Sequence, residues 1–62
     1  MENENDLLDV NDVAKMLKTK PTTIYNWVYK RKIVFIKIGT LLRFRKKDIM
    51  DLIAKSTVNI GF

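Results

Sequence analysis

Between Lys15 and Lys47 the chain carries eleven of its twelve Lys/Arg residues and none of its seven Asp/Glu. That stretch is +11, while the flanks, with one lysine against seven acids, sum to −6, so the overall +5 conceals a divided chain. No acid inside the stretch relieves repulsion between neighbouring cations. The early and late acids, folded back, are the one internal source of relief. A dense, sign-pure cationic segment suits a polyphosphate partner, because each neutralised phosphate releases condensed counterions. Basic patches also meet membranes and acidic proteins, so charge alone does not choose. The choice comes from the pattern beneath the charges, which reads as helix, turn, helix, hairpin, helix.

Sixty-two residues leave room for one domain with one small core. With 47% hydrophobic and 31% charged residues, two Gly and one Pro, the composition is globular. There is no cysteine and no histidine. A disulfide staple and a zinc-thiolate site are thereby excluded, and the commonest metal ligand and general base is missing. No metal, cofactor or small-molecule ligand is expected. The single serine, Ser56, stands near one end and the acids lie at both ends, so no nucleophile, base and orienter can be assembled; the chain reads as a non-enzyme. No apolar run is long enough to span a membrane, and the acidic N-terminus does not suit a signal peptide. The expected location is cytoplasmic, on the nucleoid.

Residues 1–7 are polar and acidic and read as a flexible tail. Asp9 stands at an N-cap position with Asp12 three residues on, a weaker relative of the capping box. Val10, Val13, Ala14 and Leu17 recur at helical spacing, which predicts a first helix over Val10–Leu17. Lys18-Thr19-Lys20 forms a tight turn, because Pro21 opens the next helix where its missing N–H costs nothing. Ile24, Trp27 and Val28 give the second helix, Pro21–Lys30, its apolar face. Two short helices with so brief a connection make a helix-turn-helix or a purely structural αα-hairpin. From Ile33 to Arg45 the period changes to that of strands, with Gly39-Thr40 as the turn signal. A third helix follows over Lys46–Lys55, with Ile49, Leu52 and Ile53 as its buried face. The folded domain thus covers residues 8–55, and residues 56–62 form a C-terminal tail with Val58, Ile60 and Phe62 as its apolar side chains.

The hairpin has two possible registers. A two-residue turn at Gly39-Thr40 pairs Ile38 with Leu41 and sets Lys37 beside Leu42, mixing charged and apolar groups on both faces. A three-residue loop over 39–41 gathers Ile36, Ile38, Leu42 and Phe44 on one face and Lys37, Arg43 and Arg45 on the other, leaving Leu41 exposed at the tip. Sorting by face sets register, so the three-residue loop is expected, although a glycine in the first loop position suits a type II′ two-residue turn better.

If Ile24, Trp27 and Val28 point inward, Thr22, Tyr25, Asn26 and Tyr29 point outward. A solvated helix normally carries Glu, Lys and Gln there. Asn can pair with adenine in a bidentate fashion, Thr can touch a thymine methyl and Tyr hydroxyls reach phosphates. The plainer reading is a surface helix of middling propensity; the cationic surroundings favour recognition. Trp27 belongs to the core by its spacing rather than to an exposed stacking platform. Lys30-Arg31-Lys32 close the second helix, where cations suit the helix dipole. Lys37, Arg43 and Arg45 on one ribbon face would lie along a phosphate backbone, with the tip at the minor groove.

Taken in order, the segments LLDVNDVAKMLKTKPTTIYNWVYKRKI and FIKIGTLLRFRKKDIMDLI resemble the excisionase-type DNA-binding domains, relatives of the MerR group. The most specific pieces are Val13-Ala14, Thr23-Ile24-Tyr25 with Trp27, and Lys37-Ile38-Gly39 leading to Arg43-Phe44-Arg45 and Asp48. The resemblance implies an α+β fold, a small winged helix-turn-helix with a two-stranded antiparallel hairpin between helices 2 and 3. It implies double-stranded DNA as the partner, with Thr22, Thr23, Tyr25, Asn26 and Tyr29 near bases or adjoining phosphates; Lys20 and Lys30 at the ends of the helix are taken with them as DNA-binding residues by their charge. Lys37, Thr40, Arg43 and Arg45 fall on the wing. An excisionase bends DNA beside attachment sites to direct an integrase, a tyrosine recombinase, so integrase and neighbouring protomers are implied partners. A transcriptional regulator of the same fold and a module for an acidic protein partner are the alternatives. The chain departs from the family pattern with Lys18 and Arg31 where Gly is common, Val34 where Pro is common, Lys20 at a usual Ser/Thr cap and Asn26 at a frequent Arg. Lys18 is therefore a candidate left-handed residue.

Overall fold

The computed structural model describes residues 6–57. Helix α1 (Val10–Met16) is closed at its start from both directions. The Asp12 N–H donates to Asp9 Oδ1 at 2.8 Å and the Asp9 N–H donates to Asp12 Oδ2 at 3.1 Å, a capping box built from two aspartates. Helix α2 (Pro21–Tyr29) has Pro21 at its first position and an extended Lys20 as N-cap with no side-chain cap. Helix α3 (Lys46–Ser56) follows directly on a strand, and Thr57 Oγ1 closes its far end by donating to Ile53 O at 2.9 Å. Each helix ends within one residue of the position its apolar spacing predicts.

The ends of α1 and α2 are the same device. The Thr19 N–H donates to Ala14 O at 2.8 Å and the Lys18 N–H to Lys15 O at 3.2 Å; the Lys32 N–H donates to Trp27 O at 2.8 Å and the Arg31 N–H to Val28 O at 3.0 Å. These paired bonds define the Schellman motif, which requires a left-handed residue just past the cap. Lys18 (φ 53°) and Arg31 (φ 55°) fill that position. The left-handed residue expected at Lys18 is present, and Arg31 supplies a second.

Strands β1 (Leu7–Leu8), β2 (Ile36–Ile38) and β3 (Leu41–Arg45) form an antiparallel sheet in the order β1-β3-β2. The hairpin is therefore extended by a third strand: Leu7, placed by sequence in the tail, pairs with Arg45, and Leu8 pairs with Phe44. The Lys46 N–H donates to Asp6 O at 3.0 Å, tying the same segment to the start of α3.

The register corrects the expectation from sequence. Ile38 pairs with Leu41, Lys37 with Leu42 and Ile36 with Arg43, so the connection is the two-residue turn Gly39-Thr40. Gly39 has φ +61°, as the first central position of a type II′ turn requires. Sorting by face failed because only part of the hairpin is covered. Phe44 is fully buried, while Ile38 and Leu41 at the tip are about half exposed, so the tip gains nothing from gathering its apolar residues. Opposed residues share a face and alternate along each strand. Leu8, Leu42 and Phe44 thus point inward together with Lys37; Leu7, Ile36, Ile38 and Leu41 point outward with Arg43 and Arg45.

The core consists of Val10, Val13, Ala14, Ile24, Ile33, Phe44 and Ile49, with Trp27, Val28 and Leu52 among the partly buried side chains packed on it. Ile53, expected in the buried face of α3, is 38% exposed. Among the described residues no polar or charged side chain is buried, so all cations in the described region sit at the surface or partly covered. The tail residues Val58, Ile60 and Phe62 lie outside the described residues.

Nothing lies within 4 Å of a Cβ added at Gly39, so Gly39→Ala meets only the backbone penalty of a left-handed φ. Its expected cost is about 1–2 kcal/mol, read as a lower urea midpoint at unchanged slope.

Candidate nucleic-acid interface

Helix α2 has two functionally different sides. Ile24 is fully buried, and Trp27 and Val28 pack partly buried beside it. Thr22, Tyr25, Asn26 and Tyr29 are all exposed, Tyr29 to 87%. They are linked by spacings of three and four, so they form one continuous ridge. Thr23 lies at the boundary and is half-buried. A helix of nine residues is about 13.5 Å long, a match for a major groove about 12 Å wide. Lys20 and Lys30 stand exposed at its two ends.

Between α2 and the wing runs a groove. Its lining joins Tyr25, Val28, Tyr29 and Arg31 on the α2 side to Phe35, Lys37, Thr40 and Leu42 on the wing side. The two-residue turn builds this groove. It turns Lys37 to the inner face of the sheet, toward α2, where the other register would have aimed it outward.

The wing cations are consequently divided. Lys37 and Thr40 join the ridge of α2 across the groove, while Arg43 and Arg45 lie on the outer face of the sheet. Arg43 is half-buried and its guanidinium donates to Leu42 O at 2.8 Å. Arg45 approaches Asp48 Oδ2 at 3.9 Å, a long surface pair of little energetic weight. A single phosphate strand cannot meet Lys37, Arg43 and Arg45 on one ribbon face, because they do not share one.

Sequence reasoning noted Arg31 in a basic cluster and at a position where Gly is common, without placing it in the binding site. Its position two residues beyond the last residue of α2 was the available signal, since that is where a Schellman motif reverses the chain. Trp27 packs partly buried against the core, and with Leu17, Leu52 and Ile53 it also lines a second hollow beside α2. No group of acidic, His or Cys side chains among the described residues could hold a metal ion, and no described helix is long and apolar enough to cross a membrane.

Two helices joined by a tight turn, the second presenting an exposed hydrogen-bonding ridge beside a basic wing, define a small winged helix-turn-helix. The family model described as "Helix-turn-helix domain" matches residues 7–57, and the chain belongs to that family. No curated protein matches the chain. The matched span opens at β1 and closes at the end of α3, so the third strand belongs to the domain.

Because the Asn26 and Tyr29 side chains are exposed and make no hydrogen bond among the described residues, Tyr29→Ala and Asn26→Ala are expected to change stability by less than about 0.5 kcal/mol. Thermal denaturation of each variant checks this.

Proposed function

We propose that this helix-turn-helix protein binds double-stranded DNA with sequence preference and acts by binding alone. Helix α2 enters the major groove, and the wing lies over the adjoining backbone and minor groove. The observation that carries this reading is the composition of the α2 ridge: four exposed, uncharged hydrogen-bonding side chains framed by lysines and an arginine. The cations supply affinity through counterion release. Thr22, Tyr25, Asn26 and Tyr29 supply selectivity through base edges and register on the backbone.

The role we propose is architectural: a recombination directionality factor of excisionase type, bending DNA beside attachment sites to direct an integrase. Its support is the residue pattern over 7–54 and the small size of the contact surface. One helix of about two and a half turns with one wing belongs to the class of single DNA-binding modules, which bury limited surface. Such a module gains occupancy by assembling side by side with neighbouring protomers, and arrays of this kind bend DNA.

Duplex binding measured at two salt concentrations, with cognate and scrambled DNA, tests the reading. Affinity is expected to fall steeply with salt, and Asn26→Ala is expected to lose about 1–3 kcal/mol on cognate DNA and little on scrambled DNA. A flat salt response would remove the phosphate component. Equal losses on both DNAs would leave a nonspecific coater. A gel-mobility assay with the site moved along the fragment reads the bend, and unbent cognate DNA would count against the architectural role.

A further inference from the structure

Arg31 is placed at an energetic disadvantage that no side-chain partner among the described residues offsets. Its backbone is left-handed, φ 55°, a conformation that glycine adopts freely and a side chain resists. The Schellman bonds that require this conformation are made by main-chain groups, Arg31 N–H to Val28 O and Lys32 N–H to Trp27 O. The side chain is therefore not needed to close the helix. It is exposed, and its guanidinium has no hydrogen-bond or ion-pair partner among the described residues. Its sequence neighbours Lys30 and Lys32 carry the same charge, and so does Lys37 on the wing side of the groove.

A cation held in a strained conformation, without a partner and among like charges, gains its compensation from an anion that arrives from outside. The groove limits what that anion is. Its lining brings together two cations from different elements, Arg31 after α2 and Lys37 in β2, with Tyr25, Tyr29 and Thr40 beside them. This is a groove open to the surface rather than an enclosed pocket for a small ion. We infer that Arg31 is a backbone anchor. It and Lys37 grip the phosphodiester strand that borders the groove read by α2, and so fix how deep and at what angle that helix sits. This inference rests on the DNA-binding reading and deepens it. It assigns the phosphate grip to the inner groove rather than to Arg43 and Arg45 on the outer sheet face.

The test exploits two effects of opposite sign in one substitution. Arg31→Gly relaxes the backbone, so the melting temperature is expected to rise by about 5 °C. Lys18→Gly, which relieves the same strain at the end of α1, is the matched control and is expected to rise equally. In duplex binding, Arg31→Gly is expected to weaken affinity about five- to tenfold at 0.1 M salt, uniformly on cognate and scrambled DNA. The slope of log K against log salt should shrink by about 0.9, one phosphate contact. Arg31→Lys should keep that slope. A more stable Arg31→Gly variant that binds with wild-type affinity and slope would overturn the assignment, as would an Arg31→Lys variant that loses the slope. These results are separable from failure of the underlying reading, which shows in the wild-type protein itself as salt-independent or absent duplex binding.

Discussion

The burial of Phe44, next to the last residue of β3, is the constraint on which the other elements depend. Its ring is fully enclosed and shares one cluster with Val13 of α1, Ile24 of α2 and Ile49 of α3. Through its backbone the same strand pairs with β1 on one side and β2 on the other. A chain this short has no second core to fall back on. Fixing Phe44 inward fixes Leu42 and Lys37 to the same face by strand alternation, and that places the wing beside α2. The groove between α2 and the wing is thus a consequence of core packing, reached through one strand.

Much of this was legible in the sequence. The Asp9/Asp12 cap, Pro21 at the start of α2 and the apolar spacings located all three helices within a residue, because each signal is local and short-ranged. The outward ridge Thr22, Tyr25, Asn26, Tyr29 followed from the same periodicity. What was not legible depended on which surfaces are covered. The wing register was misjudged because sorting by face assumes that one face of the hairpin is buried throughout. In the folded chain the tip projects beyond the core, and the turn preference of Gly39 decides instead. Strand β1 was missed because two residues carry no period; Leu7-Leu8 is recognisable only once β3 offers an edge. Ile53 fits the helical stripe of α3 but lies beyond the reach of the small core.

The charge division seen in the sequence takes a more specific form in the fold. Among the described residues every cation remains outside the core, yet the cations do not form one uniform patch. Lys20 and Lys30 flank the exposed ridge of α2, Arg31 and Lys37 both line the groove, and Arg43 and Arg45 turn to the outer face with intramolecular partners of their own. At the ends of α1 and α2 a cation occupies a left-handed position where a glycine would relax the chain. Strain of this kind collects at functional positions, and at Arg31 it coincides with the groove.

The most direct test of this arrangement is a backbone-amide NMR titration of the full chain with duplex DNA. The largest shifts are expected over residues 20–31 and 37–40, the ridge and both sides of the groove. The amides of Leu7 and Ile53, on the outer sheet face and beside the Trp27 hollow, should stay in place. Shifts centred instead on the outer sheet face, with the 20–31 segment unmoved, would contradict the claim that α2 and the inner side of the wing form a single DNA-binding surface.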